Sequence, residues 1–276
     1  MDFELRRIIE TALQEDIGSG DITTQATVSS ELVSRAELIA KEDFVLAGIN
    51  VAAEVFKAID PDIAFEGLIA DGQKVQKGEV LAWLKGPASS LLQGERVALN
   101  LLQRMSGIST MTSSFVREVA ATDAIVVDTR KTMPGLRVLD KYAVRTGGGS
   151  NHRTSLYDGV LIKENHITAA GSITVAIERA RARAPHTLKI EVETTNIVEV
   201  TEALQAGADI ILLDNMTLEQ LREAVQLVAG RARTEASGGV SLETVREIAE
   251  TGVDLISVGA LTHSVKAVDI SMLFTP

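Results

Sequence analysis

The chain has 276 residues, enough for one large domain or two modest ones. Its 45% hydrophobic and 24% charged residues exclude intrinsic disorder, and with only 3% aromatics the core must come from Val, Ile, Leu and Ala. A net charge of −11 excludes nucleic acid and anionic membrane surfaces as partners, and the lack of cysteine excludes disulfides, thiolate chemistry and cysteine zinc sites. No apolar run reaches the ~18 residues that a membrane span needs.

Taken in chain order, MDFELRRIIE reads as the start of an amphipathic helix with acids, not as a secretory signal, so a cytoplasmic protein is expected. A turn-rich EDIGSGDITT follows, then a strand near Arg35–Leu46 and a helix near Asn50–Ile59. Short strands are expected around Ile63–Ile69 and Val80–Leu84. Helices and strands in loose alternation predict a small α+β domain. The stretch DGQKVQKGEVLAWLKG is similar to part of a biotinyl or lipoyl carrier domain but lacks the lysine between methionines, and it reads as plain strands. A long helical pattern opens just after Pro87 and runs to about Ala121, with a break expected at Gly107. Within it Arg96 shares a stripe with Leu92, Leu99 and Gln103, which predicts a half-buried arginine in need of a partner. That partner is an intrachain acid or a substrate.

From Ala124 the texture changes to β-branched runs separated by amphipathic helices. The runs are AIVVD, DGVLIK, LKIEVE, DIILLD, RTEAS and DLISVG. Six βα units predict a parallel sheet, short of the eight of a complete (β/α)₈ barrel. Each run ends in a polar residue or glycine: Asp128, Lys163, Glu193, Asp214, Ser237 and Gly259. In a parallel barrel those ends converge on one rim, where catalytic loops sit. A single charged strand end is better read as meeting solvent; four charged ends among six favour a shared site.

Between Asp128 and His166 seven Lys or Arg face four acids, against the acidic trend of the chain. From composition alone, salt bridging to acids elsewhere accounts for this as well as a focused anion site does. Arg130, Lys131 and Arg153 offer donors for carboxylate or phosphate, and guanidinium forks bind such groups bidentately. Gly147-Gly148-Gly149 is costly in backbone entropy and fits a segment that approaches a ligand or moves; a flexible charged loop is the alternative. Glu191 and Glu193 alternate along one strand and point the same way, inward beside Lys163 and Asp214, where carboxylates can hold Mg²⁺, support a sugar cation or pair with lysine. Ser237-Gly238-Gly239 and Gly259-Ala260 each stand between a strand and a helix, a position where backbone N–H groups can face a phosphate. There is no GxxxxGK[ST], GxGxxG or HExxH, and His152, His166, His186 and His263 have no metal-ligand spacing.

The strings EDIGSGDITT, ERVALNLLQRMSGIST, DTRKTMPGLRVLDKYAVRTGGGSNHR, LIKENH, ILLDNM, EASGGVS and SVGALTHS together resemble the nicotinate-nucleotide pyrophosphorylase (carboxylating) family, the quinolinate phosphoribosyltransferases of type II. They span nearly the whole chain in order. The resemblance implies an open α/β barrel, TIM-like but incomplete, over residues 107–264. It also implies an N-terminal α/β sandwich over 1–106 on which 265–276 folds back. The implied reaction joins quinolinate to phosphoribosyl pyrophosphate with loss of CO₂, aided by Mg²⁺. The residues implied are Arg130, His152, Arg153 and Lys163 for the quinolinate carboxylates, Lys131 with Lys163 for the pyrophosphate, and Thr129 among the substrate-binding residues. Glu193 and Asp214 would hold Mg²⁺ and the ribose and, with Lys163, form the catalytic set. Ser237, Gly238, Gly239, Gly259 and Ala260 would cradle the 5′-phosphate, and Val258 is counted among the substrate-binding residues. Arg96 would reach a neighbouring subunit's site, making a homodimer the smallest active unit.

Overall fold

A computed structural model describes residues 3–275. In chain order the elements begin with α1 (Phe3–Ile17), α2 (Ile22–Thr27), β1 (Val33–Ala40), β2 (Phe44–Val45) and α3 (Ile49–Ile59). They continue with β3 (Ala64–Gly67), β4 (Lys74–Val75), β5 (Val80–Pro87), α4 (Ala88–Val119), β6 (Ile125–Val127) and α5 (Arg137–Thr146). Then come β7 (Val160–Ile162), α6 (Glu164–Ala170), α7 (Ile173–Arg183), β8 (Ile190–Thr194), α8 (Ile197–Gln205) and β9 (Ile210–Asp214). The last are α9 (Leu218–Val228), β10 (Arg233–Ser237), α10 (Val245–Ala249), β11 (Leu255–Ser257), α11 (Ala260–His263) and β12 (Ile270–Thr275).

The chain divides into two compact units, one of residues 1–113, 132–148 and 264–276 and the other of 114–131 and 149–263. The first is built on an antiparallel sheet in the order β12-β1-β5-β3. One face of β1 buries Ala36, Leu38 and Ala40 and leaves the alternate residues outside, as a half-buried strand must. The expected strand over Arg35–Leu46 is two, β1 and β2, split by a turn. The EDIGSGDITT segment turns at Gly18–Gly20 and then starts α2, whose N-terminus is capped by Asp21 accepting from Thr24 N at 3.0 Å. Helix α4 runs through Gly107 without the expected break. A Cβ at Gly107 would collide with the Lys266 carbonyl, so this glycine allows close packing rather than a kink.

The second unit is an open parallel barrel, with strands in the order β6-β11-β10-β9-β8-β7. Every βα run read from the sequence is a strand of this sheet. Ser172, Asn196 and Thr217 cap α7, α8 and α9 within two or three residues of the preceding turn or strand end, which keeps the carboxyl-end loops short. Among the described residues β6 and β7 form no ladder with each other, and Ser150 bridges to Val127 at the open edge. No helix among the described residues is long and apolar enough to cross a membrane.

Candidate active site

At the carboxyl ends of the barrel strands lies a cavity of about 800 Å³. Thr129, Arg130 and Lys131 reach it from the end of β6, Lys163 from β7, Glu193 from β8 and Asp214 from β9. Ser237, Gly238 and Gly239 follow β10, and Gly259 and Ala260 follow β11. His152 and Arg153 arrive on the segment before β7. One opening therefore gathers most of the residues singled out from the sequence. Lys163 Nζ donates to Glu193 Oε2 at 2.9 Å, joining two strand ends. Asp214 Oδ2 accepts from Asn215 Nδ2 at 2.8 Å. Gly238 has φ +92°, and a Cβ there would strike the Asn215 side chain, so the turn after β10 depends on glycine. Thr262 Oγ1 donates to the Lys131 carbonyl at 2.9 Å and ties α11 to the Lys131 segment.

Deeper in the barrel the period-2 reading of β8 holds, but the two glutamates have different company. Glu193 meets Lys163, whereas Glu191 sits below it, 2.9 Å from His152 Nε2 and not beside Lys163. Glu235 on β10 completes this inner cluster, 3.7 Å from the same His152 nitrogen. Burial, then the adjacent Glu191, push the Glu235 carboxyl up to about 7, with His152 pulling the other way. Arg153 is shifted down from the usual guanidinium range by burial and by Arg130, while Glu191 and Asp158 oppose the shift. Sequence spacing gave no metal-ligand pattern for the histidines, yet donor atoms of His152, Glu191 and Glu235 lie within 4.8 Å of one another. Two strands and a loop bring them together, and no local spacing signals that.

Two of the residues expected to bind substrate do not line this cavity. Val258 is buried, its N–H is bonded to the Val127 carbonyl at 2.9 Å, and it does not line the cavity. Its amide serves the backbone pairing at the end of β11. Arg96 is exposed on α4 in the first unit, so the half-burial expected for it is absent, and the place expected for it is a neighbouring subunit's site rather than this cavity. The basic segment also divides. Arg130, Lys131, Arg153 and Lys163 line the cavity, whereas Arg137, Lys141 and Arg145 lie on α5 in the first unit. The first residue of the triple glycine serves close packing. Gly147 ends α5, and a Cβ there would lie 2.5 Å from the Ser109 carbonyl, so it permits α5 to pack on α4. His263, Glu235, Asn215 and Ser257 line the cavity without having been singled out for it. For His263 the available signal was its place one helical turn beyond Gly259.

Glu193 and Asp214 supply only oxygen donors from neighbouring strands at one opening. That set suits Mg²⁺, which takes oxygen ligands, binds through one or two carboxylates and keeps several waters.

Residues 21–106 match the family model for the quinolinate phosphoribosyl transferase N-terminal domain, and residues 108–273 match that for its C-terminal domain. A protein of Bacillus subtilis, "Probable nicotinate-nucleotide pyrophosphorylase [carboxylating]", is 47% identical over 98% of this chain and 93% of its own length. "Quinolinate phosphoribosyltransferase [decarboxylating] 1b" of Nicotiana tabacum is 45% identical over 98% of this chain and 82% of its own. The crystal structure of NadC from Streptococcus pyogenes superposes with a TM-score of 0.96 at 42% identity, covering 100% of this chain and 98% of that one. With both domain models matched and full-length relatives at this identity, the chain belongs to the quinolinate phosphoribosyl transferase family.

Proposed function

We propose that the barrel rim transfers the phosphoribosyl group of phosphoribosyl pyrophosphate to quinolinate with decarboxylation, giving nicotinate mononucleotide, pyrophosphate and CO₂ in NAD biosynthesis. The observation that carries this reading is the convergence of Arg130, Lys131, Arg153 and Lys163 with Glu193 and Asp214 on one opening of a chain of net charge −11. Quinolinate is a dianion and the sugar donor carries several more charges, so a focused cationic mouth in an acidic protein fits both.

Arg130 and Arg153 bind the quinolinate carboxylates and hold the pyridine nitrogen against the anomeric carbon. Attack there passes through a state with positive charge on the ribose ring, and Glu193 and Asp214 face that charge. Lys131 and Lys163 hold the departing pyrophosphate, and the Ser237–Gly239 and Gly259–Ala260 turns receive the 5′-phosphate. Once the ring nitrogen is quaternised, the ring accepts the electron pair of the breaking carbon–carboxylate bond, CO₂ leaves, and the carbon takes up a proton. No side chain need form a covalent bond. Glu193 and Asp214 would hold Mg²⁺, which when bound neutralises charge on the pyrophosphate. The same reading makes the enzyme a cytoplasmic homodimer or larger homo-oligomer in which Arg96 completes the partner's site.

Incubating the protein with quinolinate, phosphoribosyl pyrophosphate and Mg²⁺ should yield nicotinate mononucleotide and CO₂. Turnover of nicotinate in place of quinolinate would overturn the assignment.

A further inference from the structure

Two carboxyl groups buried side by side inside a barrel are costly, because each ionised form loses its water. Glu191 on β8 and Glu235 on β10 keep only 4% and 1% of their surface. The reaction steps above use neither. Apolar side chains of similar volume would fill the same space at less cost.

Their contacts show what they do. His152 Nδ1 accepts the backbone N–H of Arg153 at 2.8 Å, so Nε2 carries the ring proton and donates to Glu191 Oε2 at 2.9 Å. The network thereby fixes one tautomer and one orientation of the ring. Glu235 stands against the same nitrogen, with its carboxyl within 4.8 Å of Glu191's, and Oε1 of each carboxyl is buried without a hydrogen-bond partner. Arg153 begins at the amide that His152 holds, and its Nη1 donates to the Gly159 carbonyl at 3.1 Å. Arg130 and Arg153 repel each other, and the charge of Glu191 offsets that repulsion before a dianion arrives.

The cluster is also a partition. A second cavity, about 580 Å³, opens at the amino ends of the strands beside Ile125, Ile210 and Leu255. His152, Arg153 and Glu235 border both this cavity and the rim cavity. They form the floor between the two.

We propose that Glu235, acting with Glu191, is a positioning residue for quinolinate: the two carboxyls lock the His152 ring and the Arg153 backbone into the floor of the substrate pocket. The proposal rests on the reaction assigned above. It predicts a selective effect, because the pyrophosphate lysines lie at the ends of β6 and β7, and the 5′-phosphate turn, although it closes Glu235's own strand, is tied at Ser237 to the Asn215 N–H at 2.9 Å rather than to His152.

Steady-state kinetics of Glu235→Leu and Glu235→Gln test it. Leucine keeps the volume and removes the carboxyl that faces Glu191 and His152, so the KM for quinolinate should rise at least about tenfold while that for phosphoribosyl pyrophosphate stays within about twofold. Glutamine can donate to Glu191 in place of the carboxyl proton and should bring the quinolinate KM back to within about threefold of wild type. If the leucine form does not fold, Glu235→Asp, one methylene shorter, should show the same selective rise. An unchanged quinolinate KM in the folded variant, a parallel rise in both KM values, or a glutamine form as impaired as leucine would overturn the proposal. So would one equivalent of tightly bound metal in the purified wild type that the leucine form lacks, because the cluster would then be an ion site. Wild type that fails to consume quinolinate would sink the reaction itself, whereas working wild type beside unaffected variants would sink the positioning role alone.

Discussion

The buried carboxylate of Asp128 accepts the backbone N–H of His152 at 2.9 Å through Oδ1 and Asn151 Nδ2 at 2.6 Å through Oδ2. Asp128 stands at the end of the edge strand β6, where the barrel is open, and Ser150 bridges to the residue just before it. This side chain therefore ties the segment Asn151–Arg153 to the sheet just beyond the Ser150 bridge, at the open edge of the barrel.

Asp128→Ala leaves buried donors without an acceptor. A loss of about 2–4 kcal/mol in unfolding free energy is expected, together with a fall in quinolinate kcat/KM, because His152 and Arg153 lose their anchor. Urea unfolding and quinolinate kinetics on the same preparation check both. A variant as stable and as active as wild type would show that backbone pairing alone holds the segment.

Arg130→Ala should lower kcat/KM for quinolinate by roughly 2–5 kcal/mol in transition-state terms, because a charged partner is left unpaired in the pocket. A drop of less than about tenfold would place Arg130 outside the quinolinate subsite.

Glu235 has its carboxyl raised from 4.5 to about 7, chiefly by burial and then by Glu191. The folded state thus holds this proton more tightly than the unfolded chain does. The stability it contributes is complete below about pH 4.5 and is lost as pH rises through about 7. Wild type should lose on the order of 3 kcal/mol across that window relative to Glu235→Gln, which has no proton to lose. Unfolding curves of the two proteins that stay parallel from pH 4.5 to 8 would contradict this.

Arg96→Ala should inactivate the homodimer if Arg96 completes the neighbouring site. Mixing it with Glu193→Ala under exchange conditions should restore about a quarter of wild-type activity, since half the dimers are hybrids and each hybrid has one intact site. No recovery in a mixture shown to contain hybrids would confine each site to its own chain.

Much of the barrel was legible because its signals are local. The β-branched runs, the amphipathic helices between them and the polar residue closing each run mark both strand order in the chain and the strand ends. Thr129, Arg130, Lys131, Lys163, Glu193, Asp214 and the two glycine turns all sit where those ends converge. Glycine was read less well. Gly107 and the Gly147–Gly149 run looked like a break and a ligand loop, yet Gly107 and Gly147 let other backbone pass close, a role set by whichever segment folds against them. Whether the Val258 amide is free likewise depends on the strand beside it, and it is held by the Val127 carbonyl.

By itself the sequence determined the parallel βα unit, the acidic background, the cationic residues raised against it and the kinship that names the chemistry. Tertiary structure alone decided which charges meet. It sent Arg137, Lys141 and Arg145 to a different unit from Arg130 and Arg153, and it set Glu235 against Glu191 and His152, from three separated segments. Hydrophobic periodicity acts between neighbours along a chain, so it survives in a linear reading. Electrostatic coupling falls off with distance in space and is strengthened by burial, and neither quantity exists until the strands have closed around the site.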